Sequence, residues 1–114
     1  MSTSSQITTV EEQHREMVRV ARRILDGSIG IVAGARQITR LRFGSTAEND
    51  SDVLVFIAID SETDHLPLGD VRRHWSAEAL RAKDEELRGF EDWAREHTFK
   101  ACKSLIARYG HEVV

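Results

Sequence analysis

The first periodic stretch of apolar residues begins at Val10. Apolar side chains recur there at spacings of three and four, the period of an amphipathic helix, and charged residues fall mostly between them. The apolar positions are Val10, Met17, Val20, Ala21, Ile24 and Leu25. Thr9 and Glu12 have the spacing of a capping box, and Gly27 suits the left-handed residue that ends a helix. The pattern predicts a first helix over residues 10–26.

A second apolar segment covers residues 29–35, and the charged residue Arg36 follows it directly. Ser28 can cap a helix here, and apolar residues continue at helical spacing beyond it. These positions are Ile31, Ala35, Ile38 and Leu41. Gly30 and Gly34 would share one face of the helix. Because a glycine in a helix interior costs about 1 kcal/mol relative to alanine, the pair predicts that another backbone approaches closely there.

Residues 53–59, Val-Leu-Val-Phe-Ile-Ala-Ile, have the strongest strand propensity in the chain. A strand needs a partner, however, and only residues 29–33 could supply one. A helix capped by Ser51 or Asp52 satisfies its own backbone amides. We therefore predict a buried helix over this segment and keep a small α+β arrangement as the alternative.

A polar central segment, residues 60–75, separates these apolar elements from a charged C-terminal third and contains the only proline, Pro67. Asp70 can cap a short helical turn over residues 71–75, and Ser76 can cap the helix that follows. That helix has an inner apolar stripe and a natural stop at Gly110. The stripe consists of Leu80, Leu87, Ala94, Ala101 and Leu105. At about 1.5 Å per residue it would be roughly 50 Å long, so it either breaks near Gly89 or projects from the domain.

The predicted fold is all-α: a small single-domain bundle of four to five helices with a long C-terminal helix. A length of 114 residues fits one domain, with residues 1–8 as a flexible tail and residues 9–114 as the helical domain. The chain is 40% hydrophobic and 31% charged, which is the composition of a globular protein.

The net charge and the cysteine content limit the possible partners and the cellular compartment. A net charge of -3 gives no general attraction to nucleic acid or acidic lipid. The single cysteine, Cys102, cannot form an intramolecular disulfide and is expected to be a buried, inert thiol. Residues 1–9 lack the pattern of a secretory signal, and the apolar runs are too short to span a membrane. These features predict a cytoplasmic protein without membrane association.

The acidic residues of the middle of the chain form the main candidate site. Residues 44–70 contain seven acids and no lysine or arginine. They could be neutralised within the molecule by Arg36, Arg40 or Arg42, or they could face outward toward a basic partner.

The same acids are candidate ligands for calcium or another divalent metal. Asp60, Glu62 and Asp64 alternate as at the start of an EF-hand loop, but His65 replaces the glycine of the sharp turn and Val71 the bidentate glutamate. A divalent metal could also be held by His65 and His74 with Asp64 or Asp70, although the sequence fixes no geometry for them. No cofactor is predicted.

Other residue patterns favour ordinary structural roles. No zinc-finger, aromatic RNA-binding or basic-zipper signature is present, which argues against a nucleic-acid partner.

Trp75, Trp93 and Phe99 are the large aromatic residues expected to reach the surface, either as half-buried lids over the core or as interface anchors.

The central segment and its flanks resemble a family of short bacterial proteins grouped as a domain of unknown function. The residues that carry the resemblance are Ser61-Glu62-Thr63-Asp64, Leu66-Pro67-Leu68-Gly69, Arg72, Trp75, Ala79-Leu80 and Lys83-Asp84. The resemblance covers roughly residues 24–106. It implies a bacterial source and a small domain that recurs on its own, and it brings no activity or catalytic residue.

The sequence thus predicts a small macromolecule-binding protein, of the kind that immunity proteins and antitoxins represent, with a protein partner or a second copy as its ligand. The predicted contact residues are Asp60, Glu62, Asp64, His65, Arg72 and Trp75. The alternative is a metal-dependent hydrolase or metal-binding protein that uses the same acids and histidines.

Overall fold

The computed structural model describes residues 10–41 and 50–110, and this part of the chain is a bundle of helices without strands. The described residues form four α-helices: α1 (Val10–Asp26), α2 (Ile31–Leu41), α3 (Ser51–Glu62) and α4 (Ala77–Tyr109). A 3-10 helix (Gly69–His74) lies between α3 and α4. The all-α prediction is confirmed. Residues 1–9, including the proposed tail and the Thr9 cap, and residues 42–49 with Arg42 lie outside the described residues.

The core lies where α1 and α2 meet α3 and the C-terminal half of α4. Helix α1 packs against α2 and α4, and α2 packs against α3. Fully buried side chains come from every α-helix, for example Met17, Ile38, Phe56 and Leu105. A single hydrophobic cluster therefore joins the four α-helices.

Helix α3 decides between the two predicted fold classes. Asp50 accepts a hydrogen bond from the backbone N–H of Asp52 at 2.8 Å and so caps the helix. This cap lies one residue before Ser51 and two before Asp52, the two predicted caps. With its amides satisfied along the chain, the segment needs no neighbouring strand, and its high strand propensity is overridden.

Helix α2 begins later than predicted. Ser28 is not its cap, because its N–H donates to Asp26 at 2.8 Å in the turn that ends α1. The left-handed conformation predicted for Gly27 is confirmed, with φ of 82°. Gly30 precedes the helix, and only Gly34 lies within it. A side chain placed on Gly34 would meet Ile24 of α1, so the close approach is real but involves a side chain and not a backbone.

Helix α4 runs through Gly89 without interruption. Its N-cap is Ser76, as predicted, and its buried residues all lie between Ala94 and Leu105. At 33 residues it spans about 50 Å, comparable with the 47 Å longest dimension of the molecule. Its N-terminal part extends past the core, and the 3-10 helix is tied to it. The cap predicted at Asp70 is wrong, because the 3-10 helix has no side-chain cap and begins at Gly69.

Candidate functional site: the central turn and the groove between α3 and α4

The central turn begins at the C-terminal end of α3, where Arg36 of α2 holds it. The Arg36 guanidinium donates to the carbonyl oxygens of Thr63 and Leu66, the latter at 3.0 Å. Its Nε lies 3.5 Å from Asp60 Oδ1. The last carbonyls of a helix carry partial negative charge, so a cation at this position stabilises both the helix end and the turn. The predicted neutralisation of an acid by Arg36 is confirmed by this contact.

Two further contacts, an ion pair and a hydrogen bond, fix the turn against α4. Arg72 of the 3-10 helix forms a bidentate pair with Asp84, with distances of 2.7 and 2.8 Å, and donates to the carbonyl of Pro67 at 3.2 Å. His65 Nε2 lies 2.6 Å from Glu86 Oε2. The hydrogen bond from Arg72 holds the pKa of Asp84 below its ordinary value, and that from His65 does the same for the pKa of Glu86.

The six predicted contact residues therefore divide into two groups. Asp60, His65 and Arg72 are engaged within the molecule. The other three, Glu62, Asp64 and Trp75, are exposed. The acids of the turn are thus not presented outward as one set, because the turn uses part of its charge for its own attachment.

The ligands expected for a metal do not come together. Within residues 10–41 and 50–110, no group of three or more His, Cys, Asp or Glu side chains is arranged to hold a metal ion. His65, one of the two histidines considered, is paired with Glu86. The metal-dependent alternative has no geometric support in this part of the chain. Cys102 is buried, and its burial raises the pKa of the thiol to about 12.

A second tie holds the opposite end of α3. The Arg108 guanidinium donates to both carboxylate oxygens of Asp50 and to Asp52 Oδ2 at 2.6 Å. The Asp50 side chain is 7% exposed. Its burial raises the pKa, but the hydrogen bonds from Arg108 and from the Asp52 amide outweigh that effect, so the pKa lies below its ordinary value. Helix α3 is therefore fixed at both ends by arginines from its neighbours.

Between these ties, α3 and α4 form an apolar groove, which we call the α3–α4 groove. Helix α3 is apolar on nearly every side, and only part of its surface is covered by α2 and α4. One depression in the groove has a volume of about 510 Å³. Its lining residues are Ala58, Ile59, Glu62, Phe90 and Trp93. A second depression of about 310 Å³ adjoins it and shares Ala58, Ile59 and Trp93.

Trp93 is the most exposed large apolar side chain among the described residues, at 74%. Its ring lies against Phe90, with ring centroids 5.7 Å apart. Leu54 on the outer side of α3 is 49% exposed. Exposed apolar residues are common singly, but a tryptophan exposed beside an apolar groove is typical of a surface that contacts another molecule.

Sequence reasoning identified part of this surface. Trp93 was among the aromatics expected to reach the surface, whereas Phe99, expected with it, is partly buried against the core. The groove was missed. The available signal was α3 itself, since a helix apolar all round must be covered on every side or leave an apolar face open.

The chain matches no protein-family model, no curated protein and no solved structure. Among the described residues, no helix is long and apolar enough to cross a membrane.

Proposed function

We propose that this protein works by binding another protein chain, and that the α3–α4 groove is its contact surface. The observation that carries the proposal is the exposure of Trp93 beside an apolar groove. Tryptophan is enriched among the residues that dominate binding energy at interfaces, because it buries a large area with few rotatable bonds. Glu62 lines the same groove and is the one predicted contact residue that it includes.

The central turn plays a supporting part in this proposal. Three of its predicted contact residues hold the turn to α2 and α4, so it fixes the end of α3 and with it one end of the groove. The proposed class remains that of small scaffold proteins such as immunity proteins and antitoxins, which need only a stable fold and one binding surface. A cytoplasmic setting and a bacterial source belong to the same proposal: the setting rests on the sequence patterns, and the source rests on the resemblance to the bacterial family.

Site-specific photo-crosslinking in the cells that produce the protein tests this function. Replacement of Trp93 by the photoreactive amino acid p-benzoylphenylalanine keeps an aromatic side chain at the surface. We expect discrete adducts of defined mass on illumination, because a partner seated in the groove lies within reach of position 93.

The matched control carries the same amino acid at Arg81, which is exposed on α4 away from the groove residues. It should give no such adduct. Equal labelling at both positions, or no adduct of any mass at position 93, would contradict the proposal.

A further inference from the structure

The charges along the rim of the α3–α4 groove change sign from one end to the other. Glu62 lines the depression next to Phe90 and Trp93. Lys100 and His97 line a third depression at the other end, together with Asp52 and Ser104. The two helices are antiparallel, because the C-terminal residues of α3 lie beside the middle of α4 and its N-terminal residues lie beside positions 97–104.

The charged groups at the two ends differ in whether they already have a partner within the chain. Asp52 is paired with Arg108 at 2.6 Å. The side chains of Glu62 and Lys100 have no hydrogen-bond or ion-pair partner within residues 10–41 and 50–110, and both are exposed. One unpaired acid and one unpaired base therefore lie at opposite ends of an apolar strip that has Trp93 and Ala58 between them.

We propose that the occupant of the groove is a second copy of this chain, in a two-fold symmetric dimer. This inference rests on the proposed function and names the partner. A two-fold axis that lies in the contact surface near Ala58 and runs diagonally across the two helices places the Glu62 corner of each strip against the Lys100 corner of the other. Each Glu62 then faces the Lys100 of the second copy, twice in the dimer, and the exposed ring of each Trp93 is covered by the other copy.

The size of the surface sets the expected strength. Helix α3 is about 18 Å long, and two packed helices are about 20 Å wide, so each copy buries roughly 400 Å². Specific protein interfaces bury a total of about 1,200–2,000 Å². A total of about 800 Å² lies below that range, so we expect a weak, reversible dimer.

Analytical ultracentrifugation over 10–1,000 µM tests the dimer by exchanging charges between copies. We expect the wild type to dimerise and Glu62→Lys and Lys100→Glu each to remain monomeric, because each variant places like charges opposite each other twice. A one-to-one mixture of the two variants should dimerise again, since the mixed dimer restores an opposite-charge pair at both ends. Trp93→Ala should weaken dimerisation at least tenfold.

Two variants on the exposed side of α4 away from the groove, Arg81→Glu and Glu85→Lys, provide the control and should dimerise like the wild type. Circular dichroism melting curves confirm that each variant is folded. A wild type that stays monomeric at 1,000 µM would overturn the inference, and so would a dimer that neither charge variant weakens.

The crosslinking at position 93 separates this failure from failure of the proposed function. Adducts of twice the chain mass support the second copy. Adducts of other masses with a monomeric wild type would overturn the dimer and leave protein binding in place, and the lack of any adduct would remove both.

Discussion

At the scale of single residues, one side chain from a distant part of the chain often completes a local structure. Arg36 closes the end of α3 although it lies 27 and 30 residues from the carbonyls it contacts. Glu91 of α4 accepts a hydrogen bond from the N–H of Val32 at 2.9 Å and so caps α2 from 59 residues away. These contacts satisfy the backbone groups that a helix leaves unpaired at its ends.

Replacement of Arg36 by alanine should lower the free energy of unfolding by about 2 kcal/mol. The variant leaves the partly buried carbonyls of Thr63 and Leu66 without their donor and Asp60 without its cation. Urea unfolding followed by circular dichroism measures the change. Arg40→Ala, on the exposed side of the same helix, is the control and should change stability by no more than about 0.5 kcal/mol. If the two variants lower the free energy of unfolding equally, the contacts of Arg36 contribute nothing to stability.

At the scale of elements, the sequence predicts helix existence better than helix ends. The cap at Ser76 and the left-handed Gly27 are local, and both are found as predicted. The predicted start of α2 is two residues too early, because its cap comes from Glu91, and no sequence pattern joins positions that far apart. The segment at residues 53–59 is a helix despite its strand propensity. A buried helix and a buried strand both consist of continuous apolar residues, so the pattern alone does not distinguish them.

Acid should remove the stabilisation that Asp50 gives to the start of α3. Its pKa in the folded chain lies below the value of about 3.9 for an unfolded aspartate, so its contribution is complete above that pH and is lost as pH falls through the folded pKa. The stability difference between the wild type and Asp50→Asn should therefore be largest near pH 7 and shrink below about pH 4.

Urea unfolding at several pH values between 2.5 and 7 measures this difference. Asp64→Asn serves as the control, because Asp64 is exposed, and its difference from the wild type should stay near zero throughout. If the stability difference between the wild type and Asp50→Asn does not change with pH, the lowered pKa of Asp50 is contradicted.

At the scale of the whole molecule, the fold class follows from the pattern of apolar residues, but the arrangement of the helices does not. The α1–α2 contact shows why. Gly34 signals a close approach, yet only the structure identifies Ile24 as the neighbour. The candidate site has the same limit: Trp93 and Glu62 lie about 30 residues apart in sequence, and the antiparallel packing of α3 on α4 brings them to one groove.

Gly34→Ala should destabilise the fold by about 1–3 kcal/mol. The added Cβ would lie 2.5 Å from Cγ1 and Cδ1 of Ile24, which is too close unless the buried Ile24 side chain or α1 itself shifts. Removing the obstacle should reduce the cost, so Gly34→Ala combined with Ile24→Ala should be less destabilised than the sum of the two single variants. Thermal and urea unfolding measure the three values.

Gly89→Ala is the control for this series. Gly89 has open space around its Cα, so a methyl group there should raise stability by up to about 1 kcal/mol through higher helix propensity. Additive effects at Gly34 and Ile24 would contradict the close contact.

The two arginine ties at the ends of α3 have a consequence for association. A partner that settles on this helix meets a surface whose backbone is already ordered, so little conformational entropy is lost on this side of the complex. Affinity therefore depends on residues that never touch the partner, because cutting the tie at Arg36 or Arg108 lets the helix fray and raises the entropic cost of binding.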